Sequence, residues 1–309
     1  MTDIRATREE LLEYIPAAGD PQRCEDLGGG KISIGFLDAS LKVSGLSAGL
    51  EEALRGKYQP FIREQVGEAA CEVRVLSGHA SYIEPGDGFL RLEETARGKE
   101  RILLSNHFAG TWQDDARSGR LFVSEGSNVT TALTSFENFF RWLVANLLVE
   151  RGGFVFHSAG VVRDERGYLF FGHSGSGKST VSGFSPGAKL LSDDLVFVFP
   201  EGRRYLCSTT PFSGVMPQDL KDRGSYPVAG CFRLRKSDEV RKMLTAKAAA
   251  FGLLVPSCPN IISMKRRTEL LYPAIRKFLD IVPVYELFFR KDGGFWDVVL
   301  EKSAEGEER

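Results

Sequence analysis

The sequence predicts an α/β domain with a mixed sheet beneath a glycine-rich loop, preceded by a smaller, β-rich α+β domain. Three observations predict it. Residues 31–125 carry period-two alternation broken by turn residues, and residues 136–148 carry a wide apolar helical face. An apolar strand at 168–171 then runs directly into a G-x-x-x-x-G-K-S loop with a short helical segment after it. The expected boundaries are 1–127 for the N-terminal domain with a short leading helix, 128–300 for the C-terminal α/β domain, and 301–309 for a charged tail.

Taken in order, Thr7 and Glu10 have capping-box spacing before Leu11, Leu12 and Ile15, and Gly28-Gly29-Gly30 ends any helix there. Ile32, Ile34 and Phe36 alternate with Lys31, Ser33 and Gly35, which predicts a half-buried strand. A helix is expected over 48–55. Further strands are expected over 72–76, 88–92, 101–105 and 121–124, separated by turns such as Pro85-Gly86-Asp87-Gly88 and Arg117-Ser118-Gly119. Phe136, Phe139, Phe140, Leu143, Val144, Leu147 and Leu148 then share one helical face. Thr134 and Glu137 form a capping-box pair at its expected start, and Gly152-Gly153 ends it. Two apolar runs, 154–162 and 168–172, flank the polar turn Arg163-Asp164-Glu165-Arg166-Gly167 and predict a hairpin.

Composition bounds the function. With 309 residues, 42% hydrophobic and 26% charged, the chain has enough apolar surface to offset its ordering entropy, which excludes a disordered protein. Lys+Arg 40 against Asp+Glu 41 argues against a general nucleic-acid binder. No run reaches about 18 uninterrupted apolar residues, so no membrane helix is expected. The N-terminus MTDIRATREELLEY has no apolar core of a secretory signal. Cys24, Cys71, Cys207, Cys231 and Cys258 are scattered without a C-x-x-C, so reduced thiols and a cytoplasmic location are expected, not a zinc site or a disulfide framework.

The loop Gly172-His173-Ser174-Gly175-Ser176-Gly177-Lys178-Ser179 carries the chemistry. Glycines let backbone N–H groups point inward as an anion nest. Lys178 adds a compact positive charge for the β- and γ-phosphates, and the Ser179 hydroxyl can hold Mg²⁺. The expected nucleotide-binding residues are Gly172, Ser174, Gly175, Ser176, Gly177, Lys178, Ser179 and Thr180. Separated from Lys178 by fourteen residues, the pair Asp193-Asp194 follows Leu190-Leu191-Ser192. Beside a triphosphate, one carboxylate can coordinate Mg²⁺ while the other accepts a proton from an attacking hydroxyl. Taken without the loop, the pair would read as a solvated turn. The basic clusters Arg203-Arg204, Arg233/Arg235/Lys236 and Lys265-Arg266-Arg267 read as solvated faces.

The run FHSAGVVRDERGYLFFGHSGSGKST, followed by KLLSDDLVFVF, resembles the catalytic core of the HPr kinase/phosphorylase family, whose P-loop fold is related to phosphoenolpyruvate carboxykinase. The likeness covers about 45 residues and weakens downstream to texture, as in Thr210-Pro211-Phe212-Ser213-Gly214 and Val282-Pro283-Val284-Tyr285-Glu286-Leu287, which resemble segments of stand-alone HPr-kinase-like proteins. The resemblance implies that Lys178 binds the transferred phosphate and Ser179 the metal. It implies that Asp193 and Asp194 divide general base and metal binding, with Asp193 as base by its place in the motif and Asp194 at the metal. It implies that His157 positions the catalytic aspartate, and that oligomers are common. Thr180 departs from the glutamate usual after the loop serine, and no Gly-Arg-Asn-type sequence is present.

The expected activity is therefore an ATP- and Mg²⁺-dependent kinase acting on a Ser/Thr hydroxyl of a small protein or peptide, or on a small-molecule alcohol. The alternative is a non-catalytic nucleotide-binding regulator that retains the kinase core. A carboxykinase-like decarboxylase is the weaker third reading. No nucleic-acid or membrane partner is expected.

Overall fold

The computed structural model describes residues 15, 25–64, 70–79, 83, 92–124, 126–212, 214 and 216–301. It is a mixed α/β structure with two mixed sheets. By internal contacts the chain divides into two compact units, Met1–Leu143 and Val144–Arg309. The division falls inside a helix, where the sequence expectation is 127/128.

The first unit is a seven-stranded sheet in the order β1-β2-β3-β7-β6-β5-β4. Its strands are β1 (Gly30–Phe36), β2 (Ala39–Leu46), β3 (Ala70–Ser77), β4 (Glu93–Arg97), β5 (Glu100–Leu104), β6 (Phe108–Gln113) and β7 (Ser118–Val123). Helix α1 (Ala48–Tyr58) carries the chain from β2 to its parallel neighbour β3. It starts at Ser47, whose hydroxyl accepts the Leu50 amide at 3.3 Å, and it buries Leu50, Leu54 and Tyr58. The expectations for 31–36, 48–55, 72–76, 101–105 and 121–124 find their elements here. Strands β2, β4 and β6 were not expected. β6 is buried on both faces along Phe108–Trp112, which erases the alternation that betrays a half-buried strand. The leading helix and all of the 88–92 strand except Leu92 lie outside the described residues.

Helix α2 (Val129–Glu150) corrects one expectation. It begins five residues before Thr134, and its cap is Asn128, whose Oδ1 accepts the Thr131 amide at 2.9 Å. The Thr134 hydroxyl instead bonds back to the Thr130 carbonyl, and Glu137 pairs with Arg141 and Lys57. Burial also extends beyond the predicted face to Trp142, Ala145 and Asn146.

The second unit is an eight-stranded sheet: β8 (Phe154–Arg163), β9 (Arg166–Phe171), β10 (Lys189–Ser192), β11 (Leu195–Glu201), β12 (Arg204–Thr209), β13 (Ser225–Lys236), β14 (Arg241–Leu244) and β15 (Val284–Phe289). The hairpin β8–β9 turns at Asp164 and Glu165, both at positive φ (50° and 54°), as a two-residue turn between twisted strands requires. β9 and β15 lie parallel to β13, so these three strands end at the same edge. Helices α3 (Lys178–Gly183), α4 (Lys247–Leu254), α5 (Tyr272–Ile281) and α6 (Phe295–Leu300) complete the unit. Phe170, Phe232, Phe295 and Trp296 form an aromatic core that also takes in Val181 of α3, which anchors the helix behind the glycine loop. Among the described residues no helix is long and apolar enough to cross a membrane. Cys71, Cys207, Cys231 and Cys258 are buried, and burial pushes the Cys207 thiol up to about 12.

Candidate active site

The glycine loop leaves β9 at Phe171 and enters α3 at Lys178. Gly177 has φ 111°, and a Cβ there would stand 2.6 Å from the ring of Phe289, so both backbone angle and space require glycine. The turn closes through the Ser176 amide on the His173 carbonyl at 3.1 Å. Lys178 Nζ reaches back to the Gly172 carbonyl at 3.1 Å. Its ammonium is held below its ordinary value by partial burial, and the charges of Asp194 and then Asp193 pull it partly back. Helix α3 has only six residues, so any positive field at the loop comes from first-turn N–H groups and not from a long macrodipole.

The aspartates occupy an interruption in one long strand. β10 and β11 run in a common antiparallel direction along β8: Ser192 faces Gly160, and Leu195 faces His157. Asp193 and Asp194 fall between these pairs. The buried Ser192 makes the break, because its hydroxyl accepts the amides of Asp194 at 3.1 Å and Leu195 at 3.2 Å. Thr209 and Thr210 secure the flanks through the Leu191 and Leu195 carbonyls, at 2.7 and 3.0 Å.

This break brings His157 to Asp194, the expected metal ligand, where the resemblance implied that it positions the base, expected at Asp193. His157 Nε2 lies 3.1 Å from Asp194 Oδ1, and with a proton on Nε2 it donates to that carboxylate. Asp193 Oδ2 accepts the Met216 amide at 3.0 Å. Of the remaining expected residues, Ser179 stands exposed in the first turn of α3, beside Thr180. No side-chain hydrogen bond joins Ser174, Ser179 or Thr180 to the aspartate group among the described residues.

Two contributions were not legible from sequence. The loop after β12 covers the aspartates: a Cβ on Gly214 would meet Asp193 Oδ1 at 2.6 Å and Asp194 Cβ at 2.7 Å. That loop is held by Lys221, a buried lysine whose Nζ bonds the Thr210 and Phe212 carbonyls, and by Gln218 Nε2 on the Pro211 carbonyl at 2.7 Å. The only sequence signal was the texture of residues 210–214. The second contribution is basic. Arg233 and Arg235 both pair with Glu286, at 3.3 and 2.8 Å, and Arg235 and Lys236 line a cleft beside the loop. Arg266 and Arg267 are likewise engaged, on the Glu150 carboxylate and the Ile261 carbonyl.

The donor set is chemically narrow. Two carboxylates and a serine hydroxyl are hard oxygen ligands, of the kind that suit Mg²⁺. Among the described residues no group of three or more His, Cys, Asp or Glu stands together as a metal cage. Mg²⁺ needs none, because one or two carboxylates plus substrate phosphates complete its octahedron. The donor chemistry of Ser179 and Asp194 is of the kind that fits Mg²⁺.

No protein family matches the sequence, and no curated protein does. Among solved structures, the Hpr(Ser) kinase/phosphatase from Coxiella burnetii is similar over 29% of this chain and 70% of its own, with 15% identity and a TM-score of 0.24. At that level the likeness carries no argument.

Proposed function

We propose that this chain is an ATP- and Mg²⁺-dependent phosphotransferase that moves the γ-phosphate to an alcohol, either a Ser/Thr hydroxyl of a small protein or peptide or a small-molecule hydroxyl. The observation that carries the reading is the contact between His157 and Asp194 at the strand break that also holds Asp193.

The loop amides and Lys178 would bind the triphosphate and neutralise its charge. Asp194, oriented by His157, would hold the metal together with Ser179. When bound, Mg²⁺ screens the charge of the phosphates. Asp193, steadied by the Met216 amide, would take the proton of the acceptor hydroxyl as its oxygen bonds to the γ-phosphorus. The bond from that phosphorus to the β–γ bridging oxygen breaks, and ADP leaves. Positioning and charge stabilisation supply most of such a rate, which suits a site made of fixed backbone amides and paired side chains.

The test is transfer from γ-labelled ATP with Mg²⁺ into a lysate of the native cells, run beside Lys178→Ala, Asp193→Asn and Asp194→Asn. A labelled species that depends on Lys178 and on at least one aspartate is expected. Full transfer by both aspartate variants would overturn the assignment. Nucleotide binding with no transfer would favour the non-catalytic regulator.

A further inference from the structure

The strand order places the aspartates and a second feature on opposite sides of the glycine loop. On one side of β9 lies β8, carrying the β10–β11 break with Asp193 and Asp194. On the other lie β13 and β15, parallel to β9, with Arg233 level with Phe171 and Arg235 level with Phe288. Neighbouring strands are about 4.8 Å apart, so the end of β15 lies about 10 Å from that of β9. Ligands of parallel sheets bind outside the carboxyl ends of such strands.

A cleft opens at these ends. It has a volume of about 460 Å³ and is lined by His173, Ser176, Arg235, Lys236, Glu286 and Phe288. That is within the range of about 300–1,000 Å³ usual for small-molecule sites. Ser176 is only 3% exposed, and its Oγ has no hydrogen-bond partner. A buried hydroxyl left unpaired is costly, and a ligand that bonds it recovers that cost. Glu286 fixes the guanidinium of Arg235 in place, and Arg241 covers the Phe288 ring at 3.9 Å. The cleft thus offers an oriented planar cation, an aromatic ring and a buried hydroxyl.

We propose that this cleft receives the nucleoside end of the triphosphate, with Arg235 and Phe288 flanking the base and Ser176 Oγ bonding the sugar–phosphate junction. The inference rests on reading the glycine loop as the polyphosphate site. A triphosphate whose γ end meets the aspartates directs its other end across β9, toward β13 and β15. Guanidinium and aromatic groups stack on any base, so the cleft adds affinity for nucleotide over bare polyphosphate.

Calorimetric titration of the full chain with MgATP and with magnesium tripolyphosphate tests it. Wild type is expected to bind MgATP more tightly than tripolyphosphate. Phe288→Ala and, separately, Arg235→Gln should weaken MgATP binding by about ten- to a hundredfold and leave tripolyphosphate within about twofold. Lys178→Ala should weaken both probes. Arg235→Gln guards against a fold defect in the Phe288 variant, because its side chain is 41% exposed. The inference is overturned, with the loop reading intact, if wild type binds both probes equally. It is overturned in the same way if the cleft variants leave MgATP unchanged, as for a cleft serving an acidic effector or acceptor, or if they weaken both probes alike. If wild type binds neither probe, the polyphosphate reading itself falls and takes this inference with it.

Discussion

Replacing Gly214 with alanine tests whether the loop after β12 belongs to the reacting site. The added methyl would stand 2.6 Å from Asp193 Oδ1 and 2.7 Å from Asp194 Cβ, about 0.7–0.8 Å inside ordinary contact, which begins near 3.4 Å. The Asp193 carboxylate could swing away, at the expense of its bond from the Met216 amide. Asp194 Cβ cannot, because it is fixed to the strand backbone. The loop must therefore lift, against the Thr210, Lys221 and Gln218 bonds that hold it. Overpacking of this kind costs about 1–3 kcal/mol of stability. A misplacement approaching 1 Å at reacting groups costs on the order of 10²-fold in rate. Steady-state phosphate release from MgATP should show kcat falling by about that factor with KM changed far less, since the phosphate-holding loop is untouched. A folded Gly214→Ala variant with wild-type kcat would refute the reasoning and remove the 210–216 loop from the site.

Three further outcomes are expected. Burial holds Lys178 below 10.5, so the unfolded chain binds that proton more tightly than the folded one. The ligand-free protein should then gain stability as pH rises from the lowered value to 10.5. Polyphosphate binding needs the charged form, so tripolyphosphate affinity should fall with rising pH in wild type before it does in Lys178→Arg, which stays charged; coincident profiles would show that Lys178 does not titrate there. In the first unit, Arg101 and Glu94 pair at 3.0 Å with side chains only 10% and 6% exposed, and Trp142 Nε1 donates to the same carboxylate. Arg101→Ala removes the guanidinium partner of that carboxylate and should lower the urea unfolding free energy by about 3–5 kcal/mol, whereas a loss under about 1 kcal/mol would mean that the other partners of Glu94 suffice.

The sequence by itself determined what depends on neighbours along the chain. The β8–β9 hairpin, the glycine loop and the start of α3 form one uninterrupted stretch, in which turn geometry, hydrophobic period and motif spacing agree. Asp194 was legible beside the loop, but His157 only through a resemblance, and nothing local says that these two residues, 37 apart, face each other. That decision is tertiary: the β10–β11 strand lies along β8 with a two-residue break opposite Ser158 and Ala159, and the break exists because the Ser192 hydroxyl takes the Asp194 amide.

Where local signals compete, the sequence misleads. Thr134 and Glu137 have capping spacing, yet Asn128 caps α2, since the segment 129–133 also finds helical partners and the longer helix satisfies more backbone groups. Strands buried on both faces, such as β6, lose the period that would announce them. The cover over the aspartates and the basic cleft come from segments remote in sequence. Gly214 is conspicuous only once Asp193 lies against it, and Arg235 and Lys236 stop reading as a solvated face only once parallel pairing sets the ends of β13 and β15 beside the loop. Chemistry written in contiguous residues is visible before folding, while chemistry assembled across strands requires the register that folding supplies.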